Sequence, residues 1–339
     1  MDQVPAQAVK PAAGRRSLLR SNAIQTLLAF GALIVMLVVF SIASPYFLAF
    51  DNINGILLAT TVNGVLALGV TFVIITGGID LSIGTVMTLS SVMTAVMITN
   101  WQLPISVGIA GGLLTGTAAG LVNGFLIAKM KVPPFIATLG MLNVAKGLAL
   151  VIADLRPIYF NDTPAFNEVA MASALGSIIP GLEVSNVVLC LFGAAVLAGL
   201  VLKKTVLGRY TYALGSNEEA TRLSGVNVEG WKITVYAMSG LFAGLAGVLI
   251  AARLNSAQPS LGLGYELEAI AAAVIGGNSL SGGEGTMLGT VIGAFVISIL
   301  TNGLRILSVP QEWQTVVTGA IVVLAVRLDI VRRRRQEQA

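Results

Sequence analysis

Residues 104–128 read PISVGIAGGLLTGTAAGLVNGFLIA, a run without one Asp, Glu, Lys or Arg. As a helix at ~1.5 Å per residue it is long enough to cross the ~30 Å hydrocarbon core of a bilayer. Gly108, Gly112, Gly116, Gly120 and Gly124 recur at every fourth position and form one ridge along it. Small residues at that spacing let helix backbones touch, and close packing replaces the hydrophobic drive that lipid removes. Gly240/Gly244 and Gly289/Gly293 repeat the device. Packing accounts for all of these glycines without assigning them a functional role.

The whole chain extends this reading. Of its 339 residues 55% are hydrophobic and 11% charged, and the mean hydropathy is +0.87. Ordinary soluble domains carry about 25% charge, so this much apolar surface has to face lipid. With no histidine, the usual metal ligand and the usual neutral-pH base are missing, and no metal site is expected. Cys190 is the only cysteine and sits in an apolar run, which excludes an internal disulfide and a thiolate cluster. The net charge of +4 gathers at the ends of apolar segments, with no basic face and no aromatic interleaving. That is the placement of a membrane protein and no footprint for nucleic acid.

Ten apolar segments follow, at 24–43, 53–75, 81–99, 104–128, 134–153, 186–203, 231–252, 265–277, 286–304 and 312–327. The fold class expected is an all-α polytopic membrane protein of about ten transmembrane helices. With an even number of spans and the N-terminus inside, nearly all of the 20 Lys and Arg fall in the cytoplasm. Only Lys146, Arg156, Arg253 and Arg305 lie elsewhere. Both termini are therefore expected to be cytoplasmic. The chain divides into an N-terminal arm (1–22), a transmembrane domain (23–328) and a basic cytoplasmic tail (329–339). Within the middle part, 203–231 is a cytoplasmic loop and 154–185 a periplasmic one. A cleaved signal peptide ending near Ala43 fits less well, because its apolar stretch is too long and more spans follow.

The loop at 203–231 holds the most local information. Asn217 is a good N-cap, and Glu218 and Glu219 occupy a first turn where the helix dipole favours anions. Arg222 lies four residues after Glu218, and Gly225 can end the helix in a left-handed conformation. About two helical turns, capped at both ends, are expected. So short a helix is marginal in water and makes sense when another protein receives it. The alternative is an ordinary solvated loop.

Three stretches carry a family resemblance: GRYTYALGSNEEATRLSGV at 208–226, TGGIDLSIG at 76–84, and Ala252 to Pro259 continuing through Gly264–Leu267 to GGNSLSGG at 276–283. They are long, in order and specific, and the similarity covers nearly all of the chain outside the arm and the tail. The sequence resembles the inner-membrane permeases of ribose-type, binding-protein-dependent ABC importers. The resemblance implies two permease subunits (a homo- or heterodimer), a cytoplasmic ABC ATPase and a periplasmic sugar-binding protein. It also implies that the chain binds no cofactor itself, ATP and Mg being held by the ATPase. This agrees with the lack of a Walker A pattern, of GxSxG and of HExxH. In such permeases the loop corresponding to 208–225 docks on the ATPase. Gly208, Arg209, Ala213, Gly215, Asn217, Glu218, Ala220, Arg222, Leu223 and Gly225 are the candidate coupling residues. Other lines of the superfamily import branched-chain amino acids, a quorum-signal sugar derivative or nucleosides, so the cargo is less closely defined than the machine.

Gly77, Gly78, Asp80 and Ser82 interrupt an apolar run, so the helix is expected to break and restart there, with Asp80 capping the new helix. Exposed backbone at membrane depth is tolerated only inside protein or along a cavity. A part for Asp80 in the pathway or in signalling to the ATPase is the other reading. Gly276, Gly277, Asn278 and Ser279 echo this break, and Asn302/Pro310 echo Asn123/Pro133, a hint of an internal repeat whose spacing does not match. Charges within the spans are almost absent; besides Asp80 at its break there is Lys146, which can snorkel to the interface. Asn63, Thr71, Thr85, Thr88, Thr138 and Asn143 are neutral polar residues that suit a polyhydroxylated solute, with Asn63 and Asn143 the candidate pathway residues. Glu266 and Glu268 open a helix and suit its dipole. On the outer face Arg156, Arg253 and Arg305 are candidates for docking the binding protein, Arg253 doubling as a helix C-terminal charge. The function expected is a permease subunit for a monosaccharide in the bacterial inner membrane. A secondary transporter or channel for a small neutral solute is the rival, and an integral membrane enzyme lacks any catalytic constellation.

Overall fold

The computed structural model describes residues 15–181 and 183–337. Fourteen helices follow in chain order: α1 Arg15–Ala43, α2 Phe50–Ile75, α3 Ile83–Ala95, α4 Ile105–Ala128, α5 Pro134–Ile152, α6 Ala165–Met171, α7 Ala174–Ile178, α8 Asn186–Lys204, α9 Val206–Ser216, α10 Glu218–Leu223, α11 Val228–Leu254, α12 Tyr265–Ile275, α13 Met287–Ile306 and α14 Gln311–Glu337. A π-helical turn, Val96–Asn100, extends α3. Each of the ten expected segments holds one helix. Among the described residues eight are long and apolar enough to cross a membrane on their own: α1, α2, α3 with its π turn, α4, α5, α8, α11 and α13. α12, with 11 residues, is too short. The all-α expectation needs one small amendment, because β1 (Ile158–Tyr159) pairs antiparallel with β2 (Ser256–Ala257).

Two further boundaries differ from expectation. Residues 15–22 of the expected arm belong to α1, and the basic tail through Glu337 continues α14. Residues 1–14, with Lys10, lie outside the described residues.

α2 is buried on nearly every side between Thr60 and Ile75, as a helix apolar all round should be. α11 packs against it and against α3 and α4. The glycine ridge of α4 faces α11 from Gly116 to Gly124, while Gly108 and Gly112 lie mainly against Ile98 and Thr94 of α3 and its π turn. A Cβ at Gly116 would overlap Gly240 O and Gly244 N, one at Gly120 would strike Tyr236 O, and one at Gly124 would strike the backbone of Ile233. Gly289 and Gly293 likewise meet the carbonyls of Gly276 and Ala272. The spacing read from the sequence is therefore the contact seam itself.

The loops collect at two ends. At one end Lys129 and Lys131, just after α4, pair with Glu229 at the start of α11 at 2.6 and 3.2 Å. The α2–α3 break, the α12–α13 break and α9 meet at the same end. At the opposite end β1 pairs with β2, and Asn167 donates to Ala252 O at 2.7 Å.

Between β2 and α12 the chain turns inward. Gly262 packs on the first turn of α3, where a Cβ would strike Thr88 Oγ1 and Gly84 O. An extended stretch thus descends beside α3, and α12 begins deep in the bundle. Its first turn carries Glu266 and Glu268, so charges within the membrane-spanning region are not confined to Asp80 and Lys146.

Candidate functional site

The loop at 203–227 is more ordered than expected. It is helical twice over, α9 followed at once by α10. Thr205 caps α9 by accepting from Gly208 N at 3.4 Å. Gly208 has no room for a side chain, since a Cβ would overlap Leu202 O. The expected short helix is α10, and its caps are as read. Asn217 Oδ1 accepts from Ala220 N at 2.9 Å, and Gly225 ends it at φ +83°. Glu218 receives Arg222 at 3.2 Å and Lys232 of α11 at 2.6 Å. Such half-exposed pairs contribute little stability, roughly 0–1 kcal/mol each, and serve to orient α10. Thr221 Oγ1 shares its proton between Asn217 O of its own turn at 2.7 Å and Ala213 O of α9 at 3.0 Å, and the second contact links α10 to α9. Arg209, Ala220, Arg222 and Leu223 are exposed, Leu223 by 83%. An apolar side chain so exposed on a charged two-turn helix is a surface without a partner among the described residues.

Beneath α9 the two helix breaks lie against each other. Gly283 N donates to Ile75 O at 2.8 Å. Gly77 and Gly277 take left-handed conformations at φ +76° and +91°, which favour glycine. Gly276 packs on Gly289 O, and a Cβ at Gly78 would meet the Tyr236 hydroxyl.

Each break is held by a buried polar residue. Asp80 is 1% exposed; its Oδ1 accepts from Ser82 N at 3.0 Å and Ser82 Oγ at 2.6 Å, and its Oδ2 from Ser239 Oγ at 2.9 Å. Asn123 Nδ2 donates to Ser82 Oγ at 2.9 Å, and the Tyr236 hydroxyl to Ile79 O at 3.3 Å. Three donors are what an unpaired buried carboxylate requires. Asp80 does not cap α3, contrary to expectation. Ser82 occupies the N-cap position with no capping hydrogen bond, its hydroxyl turned to Asp80 instead. In the second break Asn278 donates to Ala273 O at 2.6 Å and Thr290 Oγ1 at 2.8 Å, and accepts from Thr286 N at 2.7 Å. Thr290 in turn meets Thr71 of α2 at 2.8 Å. Ser279 is buried as well. The motif echo thus corresponds to two breaks of similar construction. The echo of Asn123 by Asn302 does not extend to contacts, since Asn302 donates to Asn52 at 3.0 Å.

The neutral polar residues divide. Thr85, Thr88 and Thr138 are buried and donate to carbonyls of Ser82, Gly84 and Pro134, as hydroxyls inside apolar helices commonly do. Asn63 donates to Glu268 deep in the bundle, while Asn143 is exposed on α5 and donates to Leu139 O at 3.1 Å. Glu266 is buried, with its carboxylate accepting from Gly264 N at 3.0 Å.

Of the three outer arginines, Arg156 and Arg305 are exposed. Arg253 is half-buried in the last turn of α11 and donates to Leu58 O at 3.1 Å, which ties α11 to α2. Sequence reasoning missed Tyr212, Ser239 and Tyr236. Each acts on a partner more than seventy residues away, and no local signal marks such a pair.

Comparison with known proteins places this arrangement. The family described as branched-chain amino acid transport system / permease component matches residues 52–326. The ribose import permease protein RbsC of Haemophilus influenzae is 41% identical over 303 residues, 88% of this chain and 91% of that protein. RbsC of Bacillus subtilis is 43% identical over 301 residues, covering 88% and 91%. The D-allose transport system permease protein AlsC of Escherichia coli is 38% identical over 301 residues, covering 88% and 90%. The match runs from the start of α2 to the apolar part of α14 and includes both breaks, α9 and α10. This multi-pass membrane protein therefore belongs to the family of transport-system permease components.

Proposed function

We propose that the chain is the membrane subunit of an ATP-driven ABC importer that carries a monosaccharide delivered by a periplasmic binding protein. Its transmembrane domain (23–328) sits in a bacterial inner membrane with both termini cytoplasmic. A partner ATPase binds ATP and Mg and hydrolyses the nucleotide. A second permease subunit completes the passage, and Asn143 on the outward face of α5 suits a wet interface better than lipid.

The observation that carries the proposal is α10, a capped and exposed helix held on α9 and presenting Leu223, in a chain about 41–43% identical to ribose import permeases. Its position fits docking on an ATPase through Arg209, Ala220, Arg222 and Leu223, with Gly208, Ala213, Gly215, Asn217, Glu218 and Gly225 shaping the support. Arg156 and Arg305 remain the candidates for contact with the binding protein. Ribose is the first cargo to try, ahead of allose and arabinose, whose permeases are 37–38% identical.

The test is uptake of labelled ribose into proteoliposomes holding this chain and its ATPase, with the binding protein added. Uptake that requires ATP, the ATPase and the binding protein together is the expected result. Uptake driven by an ion gradient with no ATPase present would replace the proposal with a secondary transporter. Buried Asp80 and Glu266, with half-buried Glu268, give that rival its footing, but it leaves α10 without a use.

A further inference from the structure

The last turn of α9 touches both helix breaks at once. A Cβ at Gly215 would overlap Ile75 O at the end of α2 and also Gly283 N in the second break. The two breaks are joined there by the hydrogen bond from Gly283 N to Ile75 O. Gly282 fills the same junction, since a Cβ on it would meet Gly77 N and the backbone of Gly215. One turn earlier, the Tyr212 hydroxyl donates to Gly285 O at 2.6 Å. Burial pushes its phenol up to about 12, so it remains a protonated donor at neutral pH.

We infer that the last turn of α9 is a wedge that moves both helix breaks together, with Tyr212 and Gly215 as its positioning residues. The inference rests on the ABC-importer reading for what pushes α10. Backbone lies against backbone at Gly215, so no side-chain rotamer is available to absorb a displacement of α9. The breaks themselves yield readily, because Gly77, Gly277, Gly282 and Gly283 are left-handed glycines. Beyond the breaks the displacement meets rigid pins. Asp80 connects the first break to α11 through Ser239. Asn278 connects the second to α13 and α2 through Thr290 and Thr71. A push on α10 passes through the Thr221–Ala213 bond to α9 and reaches the helices on both sides of the junction.

The test uses the complete transporter in proteoliposomes: this chain, its ATPase, the binding protein and ribose. Tyr212→Phe removes the hydroxyl and keeps the ring. Thr221→Val removes the side-chain link from α10 to α9 and keeps the backbone bond from Asn217 N to Ala213 O. Both are scored as fold-stimulation of ATP hydrolysis by loaded binding protein, per ATPase bound, beside sugar uptake and the melting temperature. The expected result is a loss of stimulation and uptake of at least about fivefold, the low end of ordinary coupling between sites. A purely structural role lowers the melting temperature and the assembled yield but leaves the stimulation of the assembled fraction intact, and that outcome overturns the inference. Wild-type stimulation in both variants, beside an ATP-dependent wild type, overturns it too and leaves the importer reading standing. A wild type whose uptake ignores ATP sinks both.

Discussion

Gly116→Ala adds one methyl group at the tightest part of the α4–α11 seam. Its Cβ would lie 2.6 Å from Gly244 N and 2.7 Å from Gly244 Cα, and it would also overlap Gly240 O. Carbon contacts settle near ~3.5–4.0 Å, so the helices have to part by roughly 1 Å. All three obstacles are backbone atoms, and no rotamer change relieves them. Overpacking of this kind costs about 1–3 kcal/mol. Against it stands the gain of ~0.5–1 kcal/mol from replacing a helical glycine with alanine. The net expectation is a loss of about 1–2 kcal/mol. The control is Gly193→Ala on α8, where nothing lies within 4 Å of the added atom and only the favourable part remains. Melting of the two purified variants in one detergent, followed by fluorescence-detected gel filtration, separates them. Gly116→Ala should melt several degrees below wild type, at ~2–4 °C per kcal/mol for chains of this order. Gly193→Ala should melt at or above it. Equal melting of Gly116→Ala and wild type would refute the close seam, and with it the reading of the glycine ridge.

Other expectations concern the buried polar residues. Asp80→Asn leaves one acceptor oxygen where three donors converge, and should cost about 1–3 kcal/mol, seen as a lower melting temperature; Ser239→Ala, which removes one donor, should cost less. Asn278→Ala strands Thr286 N in the second break, while Ala273 O keeps the backbone N–H of residue 278. It should cost about 1–3 kcal/mol, seen as a lower melting temperature, and reduce uptake; unchanged uptake at equal expression would mean the break is not part of the moving assembly. Glu268→Gln keeps a hydrogen-bonding partner for Asn63 and removes the titratable group. ATP-driven uptake should persist in it and resist a protonophore, whereas a gradient-driven flux lost in this variant would favour the secondary transporter.

Much of the fold was legible because lipid imposes a coarse rule. Apolar runs of about 20 residues must be helices that satisfy their own backbone, and Lys and Arg mark their ends. The ten segments and the α4 seam followed from run length and a four-residue period. α10 was legible for another reason: caps, dipole charges and a left-handed terminator all act within one or two turns. α9 was not, since its apolar residues pack on partners elsewhere in the chain and show no run of their own. The tyrosine that holds it, Tyr212, reaches a carbonyl 73 residues away.

The breaks show the same division. Gly77–Gly78 and Gly276–Gly277 announce an interruption, because two glycines in an apolar run weaken the helix wherever it sits. What steadies each break depended on packing. Asp80 read as a helix cap because capping is the nearest local use for it, yet Ser239, 159 residues along, takes one carboxylate oxygen. Glu266 and Glu268 opened a helix in either view, but only the descent of residues 255–264 beside α3 placed that opening deep in the bundle. Sequence alone determined that this chain is a polytopic helical membrane protein with a short helix capped at both ends, since those properties come from run length and local capping. Tertiary structure alone decided that the helix backs onto both breaks at a single junction, because contact between distant backbones leaves no mark in the local order of residues.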